Sequence, residues 1–265
     1  MSAARKISIE RALRSVQGFA RSEWRLALPV ALAFLGMPQL VVGLFLAGRF
    51  ATMPQTMADL QHFSMDLPWW WTPILIVMLL VSAIGGLALI ALALVPRISV
   101  REALVLAFRR FPLWLAAIAI LLAAVFVALL LVMIVIGLAH GGEALAVAFT
   151  FLAMLAGMLF AALLLPVIID RRLSPVALLR EGAHLYRHGW GRISAGLLLY
   201  LCISWIVMMA LQVSIGSVVL LVGRLAGAPD IGGMIAAVLA SLISAIAWAG
   251  FALLVAGIYR QVAAP

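Results

Sequence analysis

Few side chains in this sequence have chemistry to offer. Glu181, His184 and His188 stand at i, i+3 and i+7, so a helix would place them on one face. Zinc takes three or four N, O or S ligands of these types. The pattern is not H-E-x-x-H, because Leu185 follows His184. The matched positions elsewhere in the chain hold no ligand pair, so a solvated or headgroup-facing role is the favoured reading. Asp170 closes an apolar run just before Arg171 and Arg172. It reads as an ion-pair partner or a cap on the chain's exit, with a site residue as the alternative. His140, Gly141, Gly142 and Glu143 form a tight turn, for which the glycines suffice. Phosphate-binding and dinucleotide-binding glycine loops, the G-x-S-x-G elbow and paired carboxylates are all missing from the sequence. The single cysteine, Cys202, allows neither an internal disulfide nor a cysteine knuckle. No catalytic, cofactor-binding or metal site is assigned, no cofactor is expected, and an enzyme is not the expected class.

The elements that would position these residues follow from composition. Of the 265 residues, 67% are hydrophobic and 10% charged. A soluble domain is nearer half apolar and a quarter charged, so the solvent here is lipid. Helices and closed barrels alone satisfy their backbone in lipid. Barrel strands alternate with period two, whereas this chain shows long unbroken apolar runs. The expected fold is therefore all-α: a polytopic bundle of six transmembrane helices in a single membrane domain, residues 1–265. The spans are placed at Leu26–Leu46, Pro73–Val95, Leu113–Leu138, Ala144–Ile169, Ile193–Val222 and Met234–Tyr259. The first apolar run begins too far from Met1 for an ordinary cleaved signal peptide, so the first span is expected to be retained. Trp69, Trp70 and Trp71 mark an interface, as an aromatic belt does.

The net charge of +9 is confined to short segments beside the apolar runs. That placement points to anionic headgroups rather than nucleic acid. With six spans, sixteen of the eighteen basic residues fall on one side, and only Arg49 and Arg224 on the other. The positive-inside rule then puts both termini in the cytoplasm.

The basic segments also repeat. Ile7-Ser8-Ile9-Glu10-Arg11-Ala12-Leu13 aligns with Ile98-Ser99-Val100-Arg101-Glu102-Ala103-Leu104 and with Leu173-Ser174-Pro175-Val176-Ala177-Leu178-Leu179. Tryptophan follows each serine by 15 or 16 residues, at Trp24, Trp114 and Trp190. Each serine suits an N-cap, Ser99 and Glu102 have capping-box spacing, and Pro175 fits a first helical position. The expected unit is an amphipathic interfacial helix followed by two spans, in parallel repeats near residues 7–95, 98–169 and 173–259. Arg11, Arg14, Trp24, Arg101, Arg109, Arg110, Trp114, Arg180, Arg187, Trp190 and Arg192 are the candidate contacts to anionic lipid, or to a membrane or cytoplasmic protein.

Within the spans no ionisable residue falls. The polar ones are Gln39, Thr150, Ser204, Gln212, Ser214, Ser217, Ser241 and Ser244, whose ordinary role is to bond a neighbouring helix or their own backbone. Gln39 and Gln212 are the costliest to leave in lipid and mark a buried polar spot if one exists. The expectation is a scaffold or lipid-associated module. The alternative is a transporter or channel for a lipid-like or small neutral molecule, which a cavity reaching Gln39 or Gln212 would favour.

The stretch Leu165-Pro166-Val167-Ile168-Ile169-Asp170, then Leu173-Ser174-Pro175-Val176-Ala177-Leu178-Leu179-Arg180-Glu181, then Leu185-Tyr186-Arg187-His188-Gly189-Trp190-Gly191-Arg192 resembles the bacterial glycerophosphoryl diester phosphodiesterase membrane-domain family and its relatives of unknown function. The resemblance covers roughly residues 95–220. It implies a six-span module in the bacterial inner membrane. In some relatives that module precedes a soluble phosphodiesterase domain, for which the six residues after Tyr259 leave no room. No catalytic residue is carried over.

Overall fold

A computed structural model of the chain describes residues 24–47, 68–138, 142–187, 189–227 and 229–263, together with Gly18. Among these residues the regular structure is helical throughout, with no strand. Helix α1 spans Trp24–Phe45. It is followed by α2 (Trp71–Leu94), α3 (Val100–Leu138), α4 (Glu143–Asp170), α5 (Pro175–Tyr186), α6 (Trp190–Leu225) and α7 (Pro229–Ala263). All but α5 are long and apolar enough to cross a membrane, which makes six spans. The chain is a polytopic, all-α integral membrane protein.

The expected caps form. The Ser99 backbone N–H and hydroxyl both donate to Glu102 Oε2, at 2.9 and 2.8 Å, and the Glu102 N–H donates to Ser99 Oγ at 3.3 Å. The Ala177 N–H donates to Ser174 Oγ at 3.3 Å, with Pro175 opening α5. The two helices that start this way nonetheless differ. In the third copy α5 is a separate helix, ended near Gly189 before α6 begins. In the second copy no separate interfacial helix exists. The basic segment is the opening of the 39-residue helix α3, which runs through Pro112 without a break. At 1.5 Å per residue α3 is about 58 Å long, well beyond a hydrocarbon core of about 30 Å. Its first three turns therefore have room to carry charge outside the lipid. In the first copy, Ser8, Arg11 and Arg14 lie outside the described residues.

Helix α1 contains a π-helical turn at Leu32–Gly36, where the Met37 N–H donates to the Leu32 carbonyl. The cause lies one turn on. Pro38 has no N–H, and its ring crowds the carbonyl four residues back, that of Phe34. A widened turn relieves that crowding. Phe34 then packs so closely on Gly85 of α2 that a Cβ at Gly85 would overlap Phe34 Cβ.

The helices divide into inner and outer sets in alternation along the chain. In the most apolar stretches of α2, α4 and α7, 39%, 39% and 44% of residues are buried, against 22%, 0% and 0% in α1, α3 and α6. Each outgoing span thus lies outside the span that returns. The packing is also uneven along the membrane normal. Toward the basic connections every residue of Leu87–Ala93 and of Phe251–Tyr259 is buried, as are Leu163, Leu164, Val167, Ile168 and Ile169. Ala103 and Ala107 of α3 and Leu178 of α5 close against this belt. Toward the other end no residue of Thr72–Ala83 in α2 or Ala144–Met158 in α4 is buried.

Replacing Gly85 by alanine is expected to force α1 off α2. A cost of about 1–3 kcal/mol, typical of overpacking, would show as a lower thermal unfolding midpoint in detergent. Gly86→Ala, where a Cβ meets open space, should leave the midpoint unchanged or slightly higher. Equal loss in both variants would mean that the close approach at Gly85 carries no weight.

Candidate functional site

Two polar regions stand out, at different depths. The first lies at the basic end, where α4 leaves the membrane. The hydroxyl of Tyr259 on α7 donates to Asp170 Oδ2 at 2.5 Å. Arg171, the next residue, pairs with Glu181 of α5. Arg110 of α3 donates to the Arg171 carbonyl at 3.3 Å, and Arg260 of α7 donates to the carbonyl of Ala93 in the last turn of α2. Deeper in, the buried Tyr186 of α5 donates to the Leu163 carbonyl at 3.0 Å, in the turn of α4 that Pro166 loosens. Burial pushes the Tyr186 phenol far above its ordinary value, so it stays a neutral donor. Partial burial opposes the charge on Arg171, but the Tyr259 hydroxyl and the charges of Glu181 and Asp170 outweigh it and hold the guanidinium above its ordinary value. This network ties α2, α3, α4, α5 and α7 together.

That network settles what several sequence candidates touch. Asp170 accepts from the Tyr259 hydroxyl, where an arginine pair or a cap on the chain's exit was expected. Glu181 is engaged by Arg171 and His184 is exposed, while His188 lies outside the described residues. Among the described residues no three His, Cys, Asp or Glu side chains gather as a metal site would require. Arg101, Arg109, Arg180, Arg187 and Arg192 are exposed and point charge away from the bundle. Arg110 is instead partly buried and engaged by a backbone carbonyl. Trp24 is exposed, Trp190 meets Phe160 at 6.1 Å between ring centroids, and Trp114 stacks on Phe111 at 5.6 Å.

The second region is a partly open cavity of about 490 Å³ lined by α1, α2, α3, α4 and α7, with Leu79, Met158 and Trp248 exposed at its edge. It sits above the buried belt, on the side away from the basic end, and its wall includes Leu79, Trp114, Met158, Trp248 and Phe251. Its polar lining groups are the Gln39 carboxamide and the Ser82 hydroxyl, beside the indoles of Trp114 and Trp248. Sequence reasoning singled out Gln39 but passed over Ser82, whose intramembrane position was the available signal. It also placed Trp114 at the headgroups, whereas the continuous α3 carries it into the cavity wall. The Gln39 side chain is exposed and its carboxamide makes no hydrogen bond to any described residue. An amide set among apolar lining residues with no partner of its own is open to a polar guest. The volume lies in the 300–1,000 Å³ range, roughly, of small-molecule pockets.

Compared with known proteins, the chain matches no family model, no curated protein and no solved structure.

Tyr186→Phe keeps the ring but removes the donor to Leu163. It should lower stability by about 1 kcal/mol, read from the thermal midpoint, without changing what the central cavity retains. A parallel loss of retained lipid would tie Tyr186 to the cavity as well as to the fold.

Proposed function

We propose that this chain is a non-catalytic membrane protein that takes a lipid-like or small neutral molecule into its helix bundle and passes it through the membrane. One observation carries the reading: an apolar cavity between the spans, with the amide of Gln39 in its wall and a packed belt beneath it. A cavity reaching Gln39 is the feature that separates a passage for such molecules from a plain scaffold. The ionisable groups that meet one another, Asp170, Arg171 and Glu181, bond among themselves and with Tyr259 at the basic face, away from the cavity. That supports a role in folding for them rather than in chemistry.

The setting is proposed too. The sixteen-to-two division of basic residues supports cytoplasmic termini. The stretch Leu165–Arg192 supports kinship with the phosphodiesterase-associated membrane domains and, through it, the bacterial inner membrane. In intact cells a membrane-impermeant thiol reagent should fail to label a cysteine placed at Ala3 or Ala264 in a Cys202→Ala background. Labelling of either would reverse the orientation.

A second reading, a lipid-associated scaffold with anionic lipid or a protein at the basic face, has its own support. Arg101, Arg109, Arg180, Arg187 and Arg192 are exposed, and each basic residue near an anionic surface is worth about 1 kcal/mol. Native mass spectrometry after minimal-detergent extraction separates the two. On the first reading a neutral lipid or small molecule is retained at one per chain and is displaced by Ala161→Phe, which fills the cavity. Retention of anionic lipid alone, lost on replacing Arg101 and Arg109 by glutamine and untouched by Ala161→Phe, would transfer the function to the basic face.

A further inference from the structure

A second space adjoins the cavity. It is a groove of about 600 Å³ between α1, α6 and α7, and it shares Gln39 and Val42 with the cavity. The way α6 is held explains why it opens there. Near one end, Gly232 of α7 lies against Val219 and Gly223 of α6, so closely that a Cβ at Gly232 would come within 3.1 Å of the Val219 carbonyl oxygen. Toward the other end the Tyr200 hydroxyl of α6 donates to the Ala247 carbonyl of α7 at 2.9 Å. The groove lies between these two attachments, along Leu211–Leu220 and Gly233–Ser244. Helices α1 and α6 both pack on α7 but make at most marginal contact with each other. Among the described residues the space between them is open outward, with exposed Val213, Ile215 and Leu220 on its rim.

The lining defines what can enter. Among the described residues, no Asp, Glu, Lys, Arg or His lines either space. A charged headgroup would lose its hydration there with no counter-charge from the lining, which disfavours it strongly. The polar groups offered are the carboxamides of Gln39 and Gln212 and the hydroxyls of Ser217, Ser241 and Ser244. Ser241 already donates to the Val238 carbonyl. Neither glutamine is hydrogen-bonded to a described residue. A carboxamide presents two donors and an acceptor oxygen, so its complement is a group that both gives and takes a hydrogen bond.

We propose that the groove is the lateral entrance from the bilayer to the central cavity, and that Gln39 and Gln212 select an amphiphile with an uncharged, hydroxyl- or amide-bearing head. The inference rests on the uptake reading above and adds the route and the class of molecule. Gln39, on the boundary between the two spaces, meets the head in both. Gln212 meets it only in the groove.

The test uses the full chain in phosphatidylcholine nanodiscs. Energy transfer from tryptophan to pyrene-labelled lipids reports binding. The probes share their acyl chains: diacylglycerol, its O-methyl ether and phosphatidic acid. Diacylglycerol should bind best. Gln39→Leu should weaken it roughly three- to tenfold, the weight of one hydrogen bond, and bring it level with the ether. Gln212→Leu, on a different helix, should slow its entry and so keeps the test usable if Gln39→Leu misfolds. Equal binding of diacylglycerol and phosphatidic acid by the unaltered chain, or no effect of either substitution, would overturn the selectivity while leaving lipid uptake intact. Binding of none of the probes would instead remove the uptake reading itself. A cysteine at Val213 that cross-links to a second copy and excludes the probe would overturn the entrance, since the groove would then hold a neighbouring chain.

Discussion

Helices in lipid gain little from hiding apolar surface from one another, because the lipid is equally apolar. They associate by close contact and by hydrogen bonds between them. In this bundle the close contact is concentrated in one belt, where Leu87–Ala93, Leu163–Ile169 and Phe251–Tyr259 meet with small residues such as Ala88, Ala91 and Ala256 between the larger ones. The rest of the architecture depends on that belt. It makes α2, α4 and α7 the inner helices and leaves α1, α3 and α6 attached from outside. Because the belt lies near one face, the spans are free to separate toward the other, and the cavity and groove occupy the space so created.

Two arginines at the basic face hold helix ends. The last carbonyls of a helix lack partners within it. Arg260 supplies one to the end of α2 from α7, and Arg110 supplies one to the backbone beyond α4 from α3. These are helix-end caps provided across the bundle. The Arg171–Glu181 pair is partly exposed and adds little by itself, less than about 1 kcal/mol. It nevertheless ties α5 to the end of α4, beside the buried bond from Tyr186 to Leu163. The positively charged side chains thus divide into those that hold the helix ends and those left exposed. Sequence position does not distinguish Arg109 from Arg110, since the division depends on which side of α3 faces Arg171.

The spans were legible because hydropathy over some twenty residues is a strong signal. Pro73–Val95 and Ala144–Ile169 fall within two residues of α2 and α4 at each end. The caps at Ser99 and Ser174 were legible because they depend on residues three apart. The continuity of α3 was not legible. Pro112 and the change from charged to apolar residues both suggest a break, but the helix tolerates the lost hydrogen bond at Pro112. Nor could the sequence separate inner from outer helices, since both are apolar all round and differ in their neighbours rather than their composition. The cavity and the groove were legible only through their polar residues. Gln39 and Gln212 stood out because amides are costly in lipid, whereas Ser82 did not, because a serine in a span so often bonds its own backbone.

The π-helical turn in α1 changes how the remainder of that helix is oriented. A turn holding one extra residue advances everything after it by about a quarter turn relative to an uninterrupted α-helix. Leu32–Gly36 precedes Pro38, Gln39 and Val42, so the phase of all three is set by that turn as much as by their own positions. A helical wheel drawn straight through α1 would place Gln39 on the wrong meridian. The proline that disturbs the helix at Phe34 therefore also acts as an angular offset, and it aims an amide at the meeting point of two spaces that a regular helix would have left to hydrocarbon.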